Sequence, residues 1–284
     1  MKMRCNASRN IAHGVTSALM LTWLLTSVAA EVSDLAYVES CNGKDRTSAE
    51  PQIAACTALI DGNADNPKVQ AIAHNNRGNA YIRKGEYEQA IKDYDAAIKL
   101  TPNFAKALNN RGVAYQKMVD YDHAIQDFDA AINIDPTYTS AFANRAETYQ
   151  KMGDFPNALK DLNEAIRLQP TLKPLWNERC WTHAIVGELQ AAMADCNEAI
   201  RLEPDVAAAF DSRALTFLKL GQWTSAITDY NAALRLDPKL PSALYGRGFA
   251  RLKTGDRAGG DADIAAAEAV ERNIAGKFAR YGLH

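Results

Sequence analysis

The sequence predicts an all-α solenoid built from antiparallel helix hairpins. A 34-residue pattern recurs along most of the chain, and a repeat of this length is typical of a stacked array. Small residues recur within each unit at positions 8, 20 and 27, where two helices of one hairpin must approach closely. The repeats start at Ala71, Ala105, Thr139, Lys173 and Ala207, with a degenerate sixth at Pro241.

The details of the repeat identify its family. Position 11 is aromatic in most units, and Pro at position 32 of the first five units ends the second helix. The pattern over 71–274 resembles the tetratricopeptide repeat family, and it departs from that family by having Arg at position 7. The resemblance implies a right-handed superhelical solenoid whose first helices line a concave groove for a protein or peptide.

The predicted organisation has four segments. A signal peptide is followed by a degenerate first hairpin, then by six repeats, and last by the end of a C-terminal capping helix. The segments are 1–30, 31–66, 67–274 (repeats 71–104, 105–138, 139–172, 173–206, 207–240 and 241–274) and 275–284.

The first thirty residues read as a secretory signal peptide. Lys2, Arg4 and Arg9 form a basic start, an apolar run covers 15–28, and small residues allow cleavage after Ala30. An uncleaved membrane anchor is the alternative, although the apolar run is shorter than the roughly 20 residues that a spanning helix needs. Cleavage would leave 29 basic and 34 acidic residues in a periplasmic or secreted protein.

The four cysteines beyond this segment pair by spacing. Cys180 and Cys196 occupy positions 8 and 24, which face each other across a hairpin, and Cys41 and Cys56 have almost the same separation. We expect disulfides Cys41–Cys56 and Cys180–Cys196, since an exported protein folds in an oxidising compartment. Buried free thiols are the alternative. A metal site is not predicted, because no His is spaced to complete a ligand set.

A recurring Arg at position 7 and an Asp sixteen residues later predict an ion pair between the two helices of every unit. This interpretation competes with one in which the arginines bind an acidic polymer. Because each Arg has its own Asp at a fixed offset, we favour a structural role for the arginines. The predicted pairs are Arg77–Asp93, Arg111–Asp127, Arg145–Asp161, Arg179–Asp195, Arg213–Asp229 and Arg247–Asp263.

The family resemblance directs attention to the first helix of each unit as the binding face. Asn side chains recur there and could hydrogen-bond an extended peptide backbone, although they could instead bond to neighbouring helices and serve stacking. Trp181 is the candidate apolar anchor. The predicted peptide-binding residues are Asn75, Asn76, Asn79, Asn109, Asn110, Asn144 and Trp181.

The last part of the chain keeps an apolar spacing over 261–281 with charged residues between. This pattern predicts a capping helix with one solvated face, as the open end of a solenoid requires. A partner-binding amphipathic helix is the alternative.

The sequence contains no arrangement typical of catalysis, and no cofactor is expected. An acidic net charge and paired arginines argue against nucleic-acid binding. We therefore expect a non-catalytic interaction scaffold or adaptor of the bacterial periplasm, with a protein or peptide partner. The alternative is a glycan- or peptidoglycan-associated binding protein that would use the rings of Trp181, Trp223 and Tyr245.

Overall fold

The structure is a computed structural model that describes residues 38–43, 48–63 and 65–283. Over these residues the chain forms fourteen helices between Ala49 and Arg280 and no strand. The helices fall into two compact units, which divide between Met118 and Val119. The predicted signal peptide, 1–30, lies outside the described residues.

The described part of unit 1 contains a helical turn over 38–41 and four helices. Each helix packs against the next one along the chain, and α2 also contacts α4. The helices are α1 (Ala49–Gly62), α2 (Pro67–Lys84), α3 (Tyr87–Leu100) and α4 (Ala105–Lys117).

Unit 2 contains ten helices. From α6 onward they pack as hairpins, and α10 contacts the first helices of both neighbouring repeats, α8 and α12. The helices are α5 (Tyr121–Ile134), α6 (Thr139–Met152), α7 (Phe155–Leu168), α8 (Lys173–Val186), α9 (Leu189–Leu202), α10 (Ala207–Lys219), α11 (Trp223–Leu236), α12 (Pro241–Lys253), α13 (Arg257–Val270) and α14 (Ile274–Arg280).

The tight turn inside a hairpin depends on a left-handed residue at position 15. Gly85 has φ +77°, and its amide donates to the carbonyl of Ile82 at 3.0 Å, which ends α2. Val119 stands at the same position of the next repeat with φ +64°. It is the one described residue other than Gly with a positive φ.

The core is built from the small residues of the repeat. Ala at positions 20 and 27 is almost completely buried in every described repeat that has it, for example Ala90 and Ala97 at 0% exposure. Gly78 shows why position 8 must be small, because an added Cβ would lie 2.6 Å from the ring of Tyr94. The predicted all-α fold of packed helix pairs is confirmed, whereas the segment boundaries and the superhelix handedness stay predictions.

The C-terminal end differs from the single helix expected over 261–281. Helix α13 ends at Val270, Glu271 is extended (φ −135°, ψ 98°), and α14 begins at Ile274. The short α14 packs against α12 and α13 and buries Ile274 and Phe278 at 2% exposure each. The break lets this segment fold back onto unit 2, which a continuous helix could not do.

Candidate functional site

Five of the six predicted Arg–Asp pairs are joined by two hydrogen bonds each. In the first, Nε of Arg77 donates to Oδ2 of Asp93 and Nη2 donates to Oδ1, both at 2.8 Å. Arg111 and Asp127 fall in different units, so their pairing stays a prediction. The same two-bond geometry joins Arg145–Asp161, Arg179–Asp195, Arg213–Asp229 and Arg247–Asp263.

Each of these arginines also donates a hydrogen bond to a side chain of the preceding hairpin, a contact that was not predicted from the sequence. Nη1 of Arg179 donates to Oδ1 of Asn163 at 2.8 Å, and Nη1 of Arg213 donates to Asn197 at 2.9 Å. The signal was available, since position 25 is Asp or Asn in five consecutive repeats. The partners of Arg77, Arg111, Arg145 and Arg247 are Thr57, Asp95, Asp129 and Asn231. These contacts favour the structural role of the arginines over binding of an acidic polymer.

The first of these pairs includes a histidine. Nδ1 of His74 lies 2.8 Å from Oδ1 of Asp93. Burial alone would raise the pKa of Asp93, but hydrogen bonds from Arg77 and His74 hold it below its usual value. The pKa of Arg77 is raised by its hydrogen bond to Asp93. This pair is therefore ionised at neutral pH.

Both predicted cysteine pairs are joined as disulfides. The Cα atoms of Cys41 and Cys56 lie 4.7 Å apart and those of Cys180 and Cys196 lie 5.2 Å apart. All four residues are buried. Among the described residues, no group of three or more His, Cys, Asp or Glu side chains is placed to hold a metal ion.

Two residues predicted for the peptide groove are buried. Asn75 is 1% exposed and Asn109 is 4% exposed, so neither presents its amide to a ligand on the surface. Their burial argues against the predicted peptide contacts of Asn75 and Asn109, which stay a prediction. The physical reason for the burial of Asn75 is that its side chain faces α4 of the next repeat, where Asn110 donates to its Oδ1.

The other Asn side chains of unit 1 bond to protein groups. Nδ2 of Asn110 donates to Oδ1 of Asn75 at 2.9 Å and to Oδ1 of Asn79 at 3.0 Å, which links α4 to α2. Tyr94 donates its hydroxyl to Asn79 at 2.8 Å. Asn76 donates to Asn42 at 3.0 Å. This network favours the stacking interpretation.

Asn144 lies in unit 2 and is half-buried. It has an interaction partner of its own. Its predicted contact with a peptide stays a prediction.

Trp181 lies on α8 and is half-buried. Its ring meets those of Phe155 and Tyr281 edge to face, with centroid distances of 6.1 and 5.8 Å. The other rings considered for glycan stacking also contact aromatic neighbours. Trp223 contacts Phe249 at 6.3 Å and Tyr245 contacts Phe278 at 4.6 Å.

The first helices of the last three repeats, α8, α10 and α12, form a surface that we call the first-helix face of unit 2. It carries Trp181, Leu215 and Tyr245, and α14 packs on it. Between this face and α14 lies a cavity of about 300 Å³. The sequence predicts Trp181 but not the cavity, because the cavity walls come from five separate helices.

Two polar side chains of the cavity lack a partner on one atom. Asp211 accepts a hydrogen bond from the hydroxyl of Ser242 at 2.7 Å through Oδ2, whereas its enclosed Oδ1 has no partner. The hydroxyl of Tyr230, a residue with 0% exposure, also has none. Burial raises the pKa of Asp211 to about 7 and raises the pKa of Tyr230 as well.

A second polar cluster lies one repeat earlier, beside a cavity of about 170 Å³. Oδ1 of Asn177 and Oε2 of Glu178 are enclosed without a partner. Burial, helped by the nearby charge of Glu147, raises the pKa of Glu178 to about 7.

Comparison with known proteins agrees with this architecture. A family model described as TPR repeat matches residues 78–119 and 214–255. A second model, described as Tetratricopeptide repeat, matches 105–138 and 139–172. No curated protein sequence matches the chain significantly.

Solved structures share the fold at low sequence identity. A tetratricopeptide repeat protein from Parabacteroides merdae is 16% identical over 88% of this chain and 99% of its own, with a TM-score of 0.67. YrrB, described as a TPR protein with an unusual peptide-binding site, is 23% identical over 68% of this chain and 97% of its own (TM-score 0.56). PilW, described as a widely conserved type IV pilus biogenesis factor, is 19% identical over 70% and 92% (TM-score 0.64). The matched repeats and the packed helix pairs together show that the chain belongs to the tetratricopeptide repeat family.

Proposed function

We propose that this protein is a non-catalytic interaction module of the bacterial periplasm. In this proposal it binds a protein or an extended peptide on the first-helix face of unit 2 and acts as an adaptor in the cell envelope. Tetratricopeptide repeat proteins are generally interaction scaffolds, and two of the similar structures are described as a peptide-binding protein and a pilus biogenesis factor.

The observation that carries the proposal is the way α14 lies on this face. The C-terminal segment packs on first helices from two repeats, with Phe278 on Tyr245 of α12 and Tyr281 on Trp181 of α8. A surface that accommodates one helical segment has apolar side chains of the kind that a bound polypeptide contacts, and Trp181 and Tyr245 stay half-buried rather than fully covered by the C-terminal segment. The cavity beside α14 leaves room for side chains of such a segment.

The proposed location follows from the cysteines. Two disulfides that close neighbouring helices suit an oxidising compartment. No helix in the described ranges is long and apolar enough to cross a bilayer. Cleavage after Ala30 stays part of the proposal, because that segment lies outside the described residues.

The test is crosslinking capture from a cell-envelope fraction, with the parent chain compared with Trp181→Ala. Trp223→Ala is the matched control, because Trp223 is also a half-buried Trp of unit 2 but starts the second helix of its hairpin. Circular dichroism and thermal melting must first show that both variants fold. We expect one set of partners with the parent and the control, and its loss with Trp181→Ala.

The captured partner must then bind the purified chain directly. Isothermal titration with the isolated partner segment should give weaker binding to Trp181→Ala than to Trp223→Ala. Equal capture by both variants would overturn the placement on the first-helix face. Release of the captured material by a glycan hydrolase would instead favour the glycan alternative.

A further inference from the structure

The unpartnered polar atoms of the described residues lie in two neighbouring clusters of unit 2. Four enclosed side-chain atoms in the described residues have no hydrogen-bond partner, and all four lie in two adjacent repeats of unit 2. Such atoms are rare in folded proteins, because a buried polar group without a hydrogen-bond partner is costly to stability. They are Asn177 Oδ1, Glu178 Oε2, Asp211 Oδ1 and Tyr230 Oη.

The chemistry of these atoms indicates the missing partner. A carboxylate oxygen accepts hydrogen bonds and a Tyr hydroxyl can accept as well as donate, so a donor group would complete both Asp211 and Tyr230. Asp211 and Tyr230 both line the 300 Å³ cavity. The ring of Tyr230 is held firmly there, because it lies directly over Gly246, where a Cβ would overlap it.

The walls of the same cavity are apolar and aromatic. Trp181, Leu215 and Tyr281 line it beside the two polar groups. An apolar stem with a charged donor at its tip complements such a cavity, since a methylene chain packs on the walls and a cation is attracted to the ring faces. A volume of about 300 Å³ is at the lower limit for ligand pockets, which suits one side chain rather than a larger ligand.

The charges around the cavity leave its carboxylate uncompensated. Lys277 is the cation at its rim, and its Nζ is in close contact with Glu271. Asp211 has only the hydroxyl of Ser242 as a described hydrogen-bond partner. With Asp211 ionised, the local balance of one Lys against two carboxylates is negative, so a positively charged group is attracted to the site.

We propose that this cavity receives a Lys or Arg side chain of the bound polypeptide, with its cationic head on Asp211 and Tyr230 and its stem against Trp181 and Leu215. The inference rests on the proposed function and makes it more specific, since it states which residue type the partner must present. The observations that carry it are the two unpartnered buried atoms, the aromatic walls and the negative balance.

The test uses short fluorescent peptide pools that are identical in random composition except for one fixed central residue, Lys, Arg, Gln or Glu. Binding to the full chain is measured by fluorescence polarisation. The parent is compared with Asp211→Asn, which keeps the shape and removes the charge, and with Tyr230→Phe, which removes only the hydroxyl. Asp205→Asn is the matched control, because Asp205 is exposed in the turn before α10.

We expect the parent and Asp205→Asn to bind the Lys and Arg pools about tenfold or more tightly than the Gln pool, as a charge-assisted hydrogen bond allows. Asp211→Asn should abolish that preference and leave binding of the Gln pool unchanged, while Tyr230→Phe should reduce the preference. Thermal melting checks that Asp211→Asn is folded. We expect a higher Tm, because the variant no longer encloses a carboxylate oxygen without a partner.

The outcomes distinguish failure of the basic-side-chain site from failure of the proposed function. Binding of all four pools with equal affinity would overturn the basic-side-chain site and leave the proposed function standing. Binding of the Lys and Arg pools that Asp211→Asn does not weaken would place the cation elsewhere and also overturn it. If no pool binds, this inference fails, while the proposed function is decided separately by the capture experiment with Trp181→Ala.

Discussion

Tyr281, in the last turn of the chain, packs edge to face on Trp181 of α8, with 5.8 Å between ring centroids and 87° between ring planes. The contact joins the C-terminal segment to a first helix two repeats earlier. It makes α14 a part of the folded unit rather than a loose end, together with the buried side chains of Ile274 and Phe278.

We expect Phe278→Ala to lower the free energy of unfolding of unit 2 by about 3 kcal/mol, because it removes a ring that is 2% exposed from the core. Urea unfolding followed by Trp fluorescence measures this, since all Trp residues of the described chain lie in unit 2. Lys277→Ala on the same helix should change it by a few tenths of a kcal/mol. A similar small effect for Phe278→Ala would show that α14 contributes little to the core.

Asp229→Ala should be among the most destabilising single changes in unit 2. It leaves the guanidinium of Arg213 without the carboxylate that accepts from Nε and Nη2 at 2.6 and 2.9 Å. Removing one partner of a buried ion pair costs about 3 kcal/mol or more, whereas replacing both with apolar residues costs much less. Urea unfolding of Asp229→Ala and of the double variant Arg213→Leu with Asp229→Leu tests this. A double variant no more stable than Asp229→Ala would contradict the buried-pair argument.

The periodic sequence predicts the contacts that every repeat makes within itself. Ala90 and Ala97, the Cys180–Cys196 disulfide and the Arg179–Asp195 pair all follow from positions that recur at a fixed offset. These features need only the hairpin geometry that the repeat specifies.

The repeat does not predict contacts between residues that depart from it. Asp211 stands where earlier repeats have Asn or Ala, and Tyr230 is directed at Gly246 of the next repeat. The segment after Glu271 has no repeat equivalent, so its position over Trp181 could not be inferred. The burial of Asn75 and Asn109 was not predicted for a related reason. The repeat spacing places equivalent residues on one face of the first helices, but it does not show whether a given position on that face is exposed or buried between repeats.

Asn110→Ala should destabilise unit 1 by about 1–2 kcal/mol, because it removes the donor to Asn79 and leaves Oδ1 of the buried Asn75 without that bond. Asn103→Ala, at an exposed position, is the control. Urea unfolding followed by far-UV circular dichroism measures both. Unchanged stability combined with a loss of peptide binding would favour the groove interpretation over stacking.

Val119→Gly should stabilise the chain. A β-branched residue at φ +64° is strained, because the left-handed region costs an L-residue about 1–2 kcal/mol. Glycine relieves this strain, but its unfolded chain is more flexible, which offsets part of the gain in stability. We expect a net gain of about 1 kcal/mol in thermal or urea unfolding. Gly85→Val, at the equivalent turn with φ +77°, should have the opposite effect. Destabilisation by Val119→Gly would mean that the side chain contributes more than its backbone strain costs.

Unit 2 should become less stable as the pH rises from about 4 to about 7, because burial raises the pKa of Asp211 to about 7 from an ordinary value of about 3.9. Below this window Asp211 is protonated in both states. Within it the unfolded chain releases the proton while the folded chain retains it, so stability falls with rising pH, and above it the loss is constant. Ser242, Tyr230, Glu271, Lys277 and Tyr281 line the same cavity.

Urea unfolding at about pH 5 and about pH 8 measures this loss through Trp fluorescence, on either side of the pKa of Asp211. The parent should be less stable at the higher pH, and Asp211→Asn should show a smaller difference. Glu178, whose pKa is also raised to about 7, contributes with the same sign, so Glu178→Gln should reduce the difference independently. An unchanged difference in Asp211→Asn would show that this carboxylate is solvated in the folded chain, and it would remove the reason for expecting a cation there.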